Sequence, residues 1–430
     1  MIQSNYNFFR NFIFAGLAII GLLIFINLEN PLTGTHKIRQ ADTLFTGYSY
    51  CIGDSTFLFP KIAHRESTSG VAIGEFPLFS ALISIPCQLT GHWSEVPPKI
   101  ITYFLWLLNL LIWTQWFKRR TSTQNHANPY AFQLFFIFSP LLLTYLLIPL
   151  PDALAVLILG LAALCWQRLD SKRLQWTGTF LFSLSFLMRP YLFPTLLILA
   201  PTKNVTLRTF GVCGIAYLLW FKYWIRHTEI WYYLTDIKPL SSLLASGWKA
   251  PSALLQQVSL NHMNYIGLIP FYFAVKRNKK LFFAWLSSIL FIVVLKSDHF
   301  VNHAYYFMAT GLITVVAMAD GFLELNLKKQ KIFTGLFVVM GVLAIQHNWR
   351  PPINLRHKNL PKIIKENNVA FEEKIAVYDT FDPQTLYLAK RVGWYFEKAD
   401  WNGPQSCPTT ARWALLFDSK DNPHLIACQK

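Results

Sequence analysis

The chain has 430 residues, 53% of them hydrophobic and only 14% charged, with a formal net charge of +17. Soluble domains carry about 25% charged residues, so this composition, with a mean hydropathy of +0.33, excludes an ordinary soluble domain and reads as an integral membrane protein. Nucleic-acid binding is excluded as well, because the basic residues sit in short clusters between apolar runs, as the positive-inside rule describes.

In chain order, residues 11–27 form the first expected span. It is retained, because residues 12–26 lack a small-x-small cleavage site and Asn27-Leu-Glu-Asn30 follows. At about 1.5 Å per residue it just crosses a hydrocarbon core of about 30 Å. Residues 28–97 form a first outer loop, whose stretch His36–Pro77 is too polar for the bilayer. Within it, Phe76–Thr90 carries Pro77 and Pro86 and reads as an interfacial helix rather than a span. Pro98–Trp116 is the next span and meets Lys118-Arg-Arg120. Residues 130–148 end at Pro149-Leu-Pro-Asp152, and Ala153–Trp166 returns to the cluster Arg168–Arg173. The stretch 175–200 is interrupted by Arg189-Pro190 and reads as two short helices or as one kinked span. Further spans are expected at 208–225, 265–275, 282–295, 305–323 and 332–345, with a second polar loop at 226–262.

About eleven spans put every basic cluster, and the N-terminus, on the cytoplasmic side. The loops with Asp42, Asp152, residues 226–262 and Asp298–His303 then fall on the other. The expected fold is a mainly α polytopic membrane bundle over residues 1–347, followed by a small α/β domain over residues 348–430 on the outer face. In that domain Ile375–Tyr378 and Ala414–Phe417 read as strands, and Asp382–Arg391 as a helix begun by Asp-Pro. Cys51, Cys87, Cys407 and Cys428 all fall outside. Two pairs, Cys407 with Cys428 and Cys51 with Cys87, fit an oxidising compartment, the alternative being four unpaired thiols.

Several residues could carry chemistry. Asp42 lies on an amphipathic segment beside His36, Lys37, Arg39 and Gln40. It reads either as a general base toward a hydroxyl, with the basic residues drawing a phosphate, or as a solvated loop carboxylate paired with Arg39. Glu75 precedes a proline-started helix and either caps it or holds a sugar or metal. Asp152 stands at the end of a span, where an acid is expensive and functional by default, and it also fits the N-cap of the next helix. Arg189 either binds a lipid phosphate or snorkels to the interface. Asp298, His299, His303, Tyr305 and Tyr306 form a phosphate, substrate or metal cluster, or else a polar loop edge with its aromatic belt. Walker, dinucleotide, HExxH and GxSxG motifs are absent, so an outer-face reaction needs an energy-rich substrate such as a lipid-linked phosphosugar.

His36-Lys-Ile-Arg-Gln-Ala-Asp-Thr43, Phe57-Leu-Phe-Pro60 and Gly74-Glu-Phe-Pro-Leu-Phe79 resemble the first outer loop of GT-C membrane glycosyltransferases, of the aminoarabinose transferase and protein O-mannosyltransferase type. Leu150–Ala155, Arg189-Pro-Tyr191, His303-Ala-Tyr-Tyr306 and Leu386–Trp394 follow in the expected order. The resemblance implies sugar transfer, with inversion, from a polyprenyl-phosphate donor to a lipid, glycan or protein acceptor hydroxyl on the outer face of a bacterial inner membrane. It assigns Asp42 to acceptor activation, puts Glu75 and Asp152 near the sugar or acceptor, and puts Arg189 and His303 near the lipid phosphate. Lys37, Arg39 and Tyr306 join the substrate-binding set. Where the best-known relatives carry Asp-Glu, this chain has Arg39-Gln40, with Asp42 two positions on, a turn of roughly 200° on a helix. No cofactor is required, and a divalent metal is the one left open. The rival readings are a lipid-linked polysaccharide polymerase or ligase, and a transporter. A transporter of the usual kind shows repeats and broken helices at the midplane; this chain has one interrupted stretch and no repeat.

Overall fold

The computed structural model describes residues 2–28, 32, 36–65, 68–72, 75–121, 129–168, 170–229, 249–296, 303–348, 359–379, 383–418 and 422–429. In chain order the helices begin with α1 (Ile2–Ile26), α2 (Lys37–Cys51), α3 (Leu78–Thr90), α4 (Val96–Thr121), α5 (Pro129–Phe138) and α6 (Pro140–Leu147). They continue with α7 (Asp152–Trp166), α8 (Lys172–Met188), α9 (Leu196–Leu199), α10 (Lys203–His227), α11 (Lys249–Gln256), α12 (Leu268–Arg277) and α13 (Lys279–Lys296). The last are α14 (Met308–Phe322), α15 (Leu327–Asn348), α16 (Leu360–Glu366) and α17 (Pro383–Ala389). Strands β1 (Lys374–Asp379), β2 (Gly393–Glu397), β3 (Ala411–Phe417) and β4 (Pro423–Ala427) interleave with the end of this series. The chain divides into two compact units.

The first unit holds Met1–Leu28, Lys99–Phe221 and Leu234–Arg350 and is helical. Among the described residues four helical stretches are long and apolar enough to cross a membrane: Phe8–Ile26, Val96–Thr121, Lys203–His227 and Ala304–Phe322. The bent pair Tyr130–Phe138 and Pro140–Leu147 makes a fifth if it counts as one span. Length and apolarity thus support four or five of the roughly eleven spans expected. Others are short: the 15 residues of α7 reach only about 22 Å, against about 30 Å of hydrocarbon. Ala304–Phe322 is buried along its whole length and forms the centre of the unit. Around it Phe135 packs on Phe322 and Phe337, with ring centroids 5.5 and 4.9 Å apart.

Hydroxyls and amides join helices where apolar packing alone gives no preference between protein and lipid. Thr179 meets Thr209 at 3.1 Å, Ser183 meets the Cys213 thiol at 3.3 Å, and Ser288 meets Thr310 at 2.7 Å. A helix ends with orphan carbonyls; at the end of α1 the Lys99 ammonium donates to the carbonyls of Asn27 (2.6 Å) and Leu28 (3.1 Å). α8 stops where the residue before Pro190 is pushed out of the helical region, leaving Arg189 at φ −143°, ψ 86°. A 3-10 turn, Pro190–Thr195, and α9 follow, so the stretch 175–200 takes the form of two short helical pieces.

The second unit holds Glu29–Pro98, Lys222–Tyr233 and Pro351–Lys430, so the first loop and the C-terminal α/β segment pack as one body. Its sheet runs β2-β1-β3-β4, with β1 parallel to β2 and β3, and β4 antiparallel at the edge. The expected strands are β1 and β3. β2 and β4 go beyond that expectation: β2 is a short aromatic run directly after α17, and β4 is largely open to solvent, so neither shows a clear alternation. Both expected disulfides form, Cys51–Cys87 tying α2 to α3 and Cys407–Cys428 tying the approach to β3 to the residue after β4.

Backbone bonds join the first loop to the sheet. Gly393 donates to the Ala63 carbonyl (3.1 Å) and accepts from the Arg65 amide (3.0 Å). A side chain at Gly393 would meet the Ile375 carbonyl oxygen at 1.8 Å, so only glycine permits this approach. Glu95 supplies a second link, accepting from Lys390 Nζ at 2.7 Å and from the Tyr387 hydroxyl. Lys390 lies over the Tyr387 ring, 3.5 Å from its centroid, with Tyr48 and Trp93 within 5.8 Å. Burial lowers the pKa of Lys390, and its pairing with Glu95 opposes that shift.

Candidate active-site residues

Each unit carries one constellation, and they differ in kind. In the loop unit, α2 begins after His36 in the left-handed region (φ 54°) and runs Lys-Ile-Arg-Gln-Ala-Asp-Thr. Its apolar residues are too few for a membrane span, yet Gln40, Ala41, Asp42, Thr43 and Leu44 are all buried. Asp42 is only 5% exposed, so it is a covered helical carboxylate and not a solvated loop acid. Thr46 donates its hydroxyl to the Asp42 carbonyl (2.9 Å), and Ser80 on α3 donates to the Thr43 carbonyl (3.3 Å), which hold this turn of α2 in place.

Arg39 forms an ion pair with Glu75 at 2.5 Å, both partly exposed. Glu75 is therefore turned toward α2, and the cap position of α3 is taken by Pro77, which makes no side-chain cap. Lys37 stands at the start of α2, half-buried. Farther along the loop Asp54 is clamped by Arg65 and by Lys61 (3.2 Å), and Arg65 is itself buried.

In the helical unit, Asp152, Arg189 and Tyr191 meet in the interior. Asp152 is the first helical residue of α7, while Pro151 holds the cap position, so the carboxylate is not the N-cap expected. Instead it accepts from Arg189 Nη2 at 2.7 Å and from the Tyr191 hydroxyl. Asp152 and Arg189 have no exposed surface, which excludes snorkelling for Arg189. The guanidinium lies 5.8 and 5.9 Å from the ring centroids of Tyr191 and Tyr305. Tyr306 packs edge-on to Tyr191 at 5.7 Å, and His303 lies 5.6 and 5.7 Å from Tyr305 and Tyr306. Four expected residues, Asp152, Arg189, His303 and Tyr306, thus come together, and they do so through Tyr191 and Tyr305. Tyr191 is the residue whose role single-residue reading misses. The signal for it is Arg189-Pro190-Tyr191, since a proline that ends α8 folds the next residue back beside the arginine.

The expected metal reading rests partly on Asp298 and His299, which lie outside the described residues, as does most of the second polar loop. Among the described residues no group of three or more His, Cys, Asp or Glu side chains could hold a metal.

No protein-family model and no curated protein matches the sequence. Solved structures do. The crystal structure of ArnT from Cupriavidus metallidurans bound to undecaprenyl phosphate superposes with a TM-score of 0.62 at 10% identity, covering 95% of this chain and 94% of ArnT. ArnT in the apo state gives 0.58 at 10% identity, over 96% and 94%. The archaeal oligosaccharyltransferase AglB from Archaeoglobus fulgidus, in complex with an inhibitory peptide and a dolichol-phosphate, gives 0.54 at 11% identity, over 94% of this chain and 69% of AglB. At such identities the likeness is one of fold. The chain has the fold of GT-C membrane glycosyltransferases, as its ordered motifs imply.

Proposed function

We propose that this chain transfers a sugar from a polyprenyl-phosphate donor to an acceptor hydroxyl on the outer face of a bacterial inner membrane, with inversion. The observation that carries this reading is a fold shared, end to end, with ArnT captured on undecaprenyl phosphate. The buried carboxylate Asp42, on the helix that the motif resemblance singles out, gives it a reacting group. In this reading Asp42 takes the proton of the acceptor hydroxyl as its oxygen attacks the anomeric carbon. The bond from that carbon to the lipid phosphate breaks on the opposite face, and the phosphate leaves with the electron pair. Fixed positive charge in a water-poor site stabilises such a leaving group. We assign that role to Arg189, His303 and Lys37, with Tyr306 and Asp152 holding the first two. Arg39 and Glu75 orient sugar or acceptor. The N-terminus is assigned to the cytoplasm and the C-terminal α/β segment to the outer face, with about eleven membrane crossings in all.

Transfer of labelled sugar from synthetic polyprenyl-phosphate sugars by the detergent-purified protein tests this. Turnover lost in Asp42→Asn, with donor binding kept, supports the class and the base together. Turnover kept in that variant moves the base to Glu75 or Asp152. No transfer from a broad donor panel, with sugar flux in proteoliposomes instead, would make the protein a transporter.

A further inference from the structure

One feature of the helical unit lies apart from both constellations and independent of sugar transfer. α8 and α10 run side by side and parallel, since Thr179 meets Thr209 and, four residues on, Ser183 meets Cys213. Their N-terminal ends therefore lie at one end of the unit. Arg168, Lys172, Arg173 and Lys203 are exposed around these ends. Asp170 is the only acid between residues 166 and 210.

Arg208, in the second turn of α10, lies over the Trp176 indole of α8, 4.4 Å from the ring centroid. Among the described residues it pairs with no carboxylate. Among the described residues its Nε and Nη2 meet no acceptor. Trp176, Phe180 one turn on from it, and Leu207 expose large apolar surface, 54 to 65% of each residue. A guanidinium fixed on an aromatic ring, its charge unmatched and apolar surface alongside, is suited to an anionic headgroup whose acyl chains lie on that surface.

We infer that Arg208 and Trp176, flanked by Lys172, Arg173 and Lys203, form a binding site for the phosphate of an anionic membrane phospholipid. The ring contact holds the guanidinium in place, so the headgroup meets a positioned charge rather than a mobile side chain. The basic neighbours add attraction that falls with salt.

The test is lipid retention by native mass spectrometry after release from phosphatidylcholine nanodiscs doped with phosphatidylglycerol. The wild-type protein is expected to keep phosphatidylglycerol in preference to phosphatidylcholine. Arg208→Gln is expected to lower that retention about fivefold, the contribution of one basic residue near a charged membrane. Lys280→Gln, a loss of charge in another basic cluster, is expected to leave it unchanged. Arg208→Lys keeps the charge without the planar contact and is expected to fall between, with its unfolding temperature checking that the bundle is intact. Equal retention by wild type and Arg208→Gln overturns the site, and so does an equal loss in Arg208→Gln and Lys280→Gln, which would reduce the effect to general charge.

Discussion

The two ion pairs of the candidate machinery make opposite use of the same chemistry. Arg189 and Asp152 are sealed in the helical unit with no exposed surface, whereas Arg39 and Glu75 in the loop unit are about a quarter exposed. Water screens the second pair and not the first, so the first is held by necessity and the second by convenience. A buried pair commits its helices to one arrangement, because neither charge tolerates losing the other. An exposed pair leaves both partners available to a substrate at little cost, which suits residues that must exchange one partner for another.

The largest expected effect separates Asp42 from both pairs. Asp42→Asn should lower kcat for sugar transfer about 10²- to 10⁴-fold, the usual contribution of a positioned base, with thermal unfolding nearly unchanged; a smaller loss would leave Asp42 a structural acid. Next comes the sealed pair. Arg189→Met leaves Asp152 charged and unpaired, and should lower stability by about 3 to 5 kcal/mol. Arg189→Met combined with Asp152→Leu should restore most of that stability without restoring transfer, and detergent unfolding curves with activity assays measure both. The double variant failing as badly as the single one would mean that the pair does more than compensate charge.

Removing Cys51–Cys87 by a double serine substitution should cost about 2 to 4 kcal/mol, read as an earlier unfolding of the loop unit in hydrogen exchange. Arg39→Gln should change stability by less than about 1 kcal/mol while raising KM, which sharpens the contrast with Arg189. The smallest effect is a pH dependence. Burial would raise the pKa of Glu229, but the hydroxyl and backbone amides of the Ser69 turn outweigh it and lower the pKa on balance. A lowered folded-state pKa gives stability that is present above the ordinary carboxylate value and lost as pH falls through the lowered one. Because the group is largely exposed, screening keeps the effect small, and Glu229→Gln should flatten the stability profile of the loop unit on the acid side of that value.

Much of this architecture is legible in the residues. Asp-Pro starts α17, the run Ile-Ala-Val-Tyr is β1, and the placement of four cysteines predicts both disulfides. These signals are local or compositional. The interior of the candidate site is not local. Asp152 and Arg189 stand 37 residues apart, and each reads alone as a cap or a snorkelling cation. Only the proline break after Arg189 hints that the chain doubles back. Glu95 and Lys390 are 295 residues apart, and Glu95 lies in no motif, so sequence reading passes over the link they make between the first loop and α17. The span count suffers differently, since apolarity marks a segment for burial without saying whether lipid or protein covers it. Ala304–Phe322 is apolar and yet wholly covered by protein.

The two disulfides have a consequence in time. Cys51 and Cys87, 36 residues apart, precede most of the helices in chain order, while Cys407 and Cys428 follow α17. Under the outer-face placement proposed above, the first pair reaches an oxidising compartment while most of the helices are still being made, and the second only after α17 has followed. The helix bearing Asp42 can thus be fastened to α3 before the sheet that later grips the same loop exists. That placement would give biogenesis an early covalent checkpoint and a later one, and a cell short of oxidant would accumulate chains halted at different stages of manufacture.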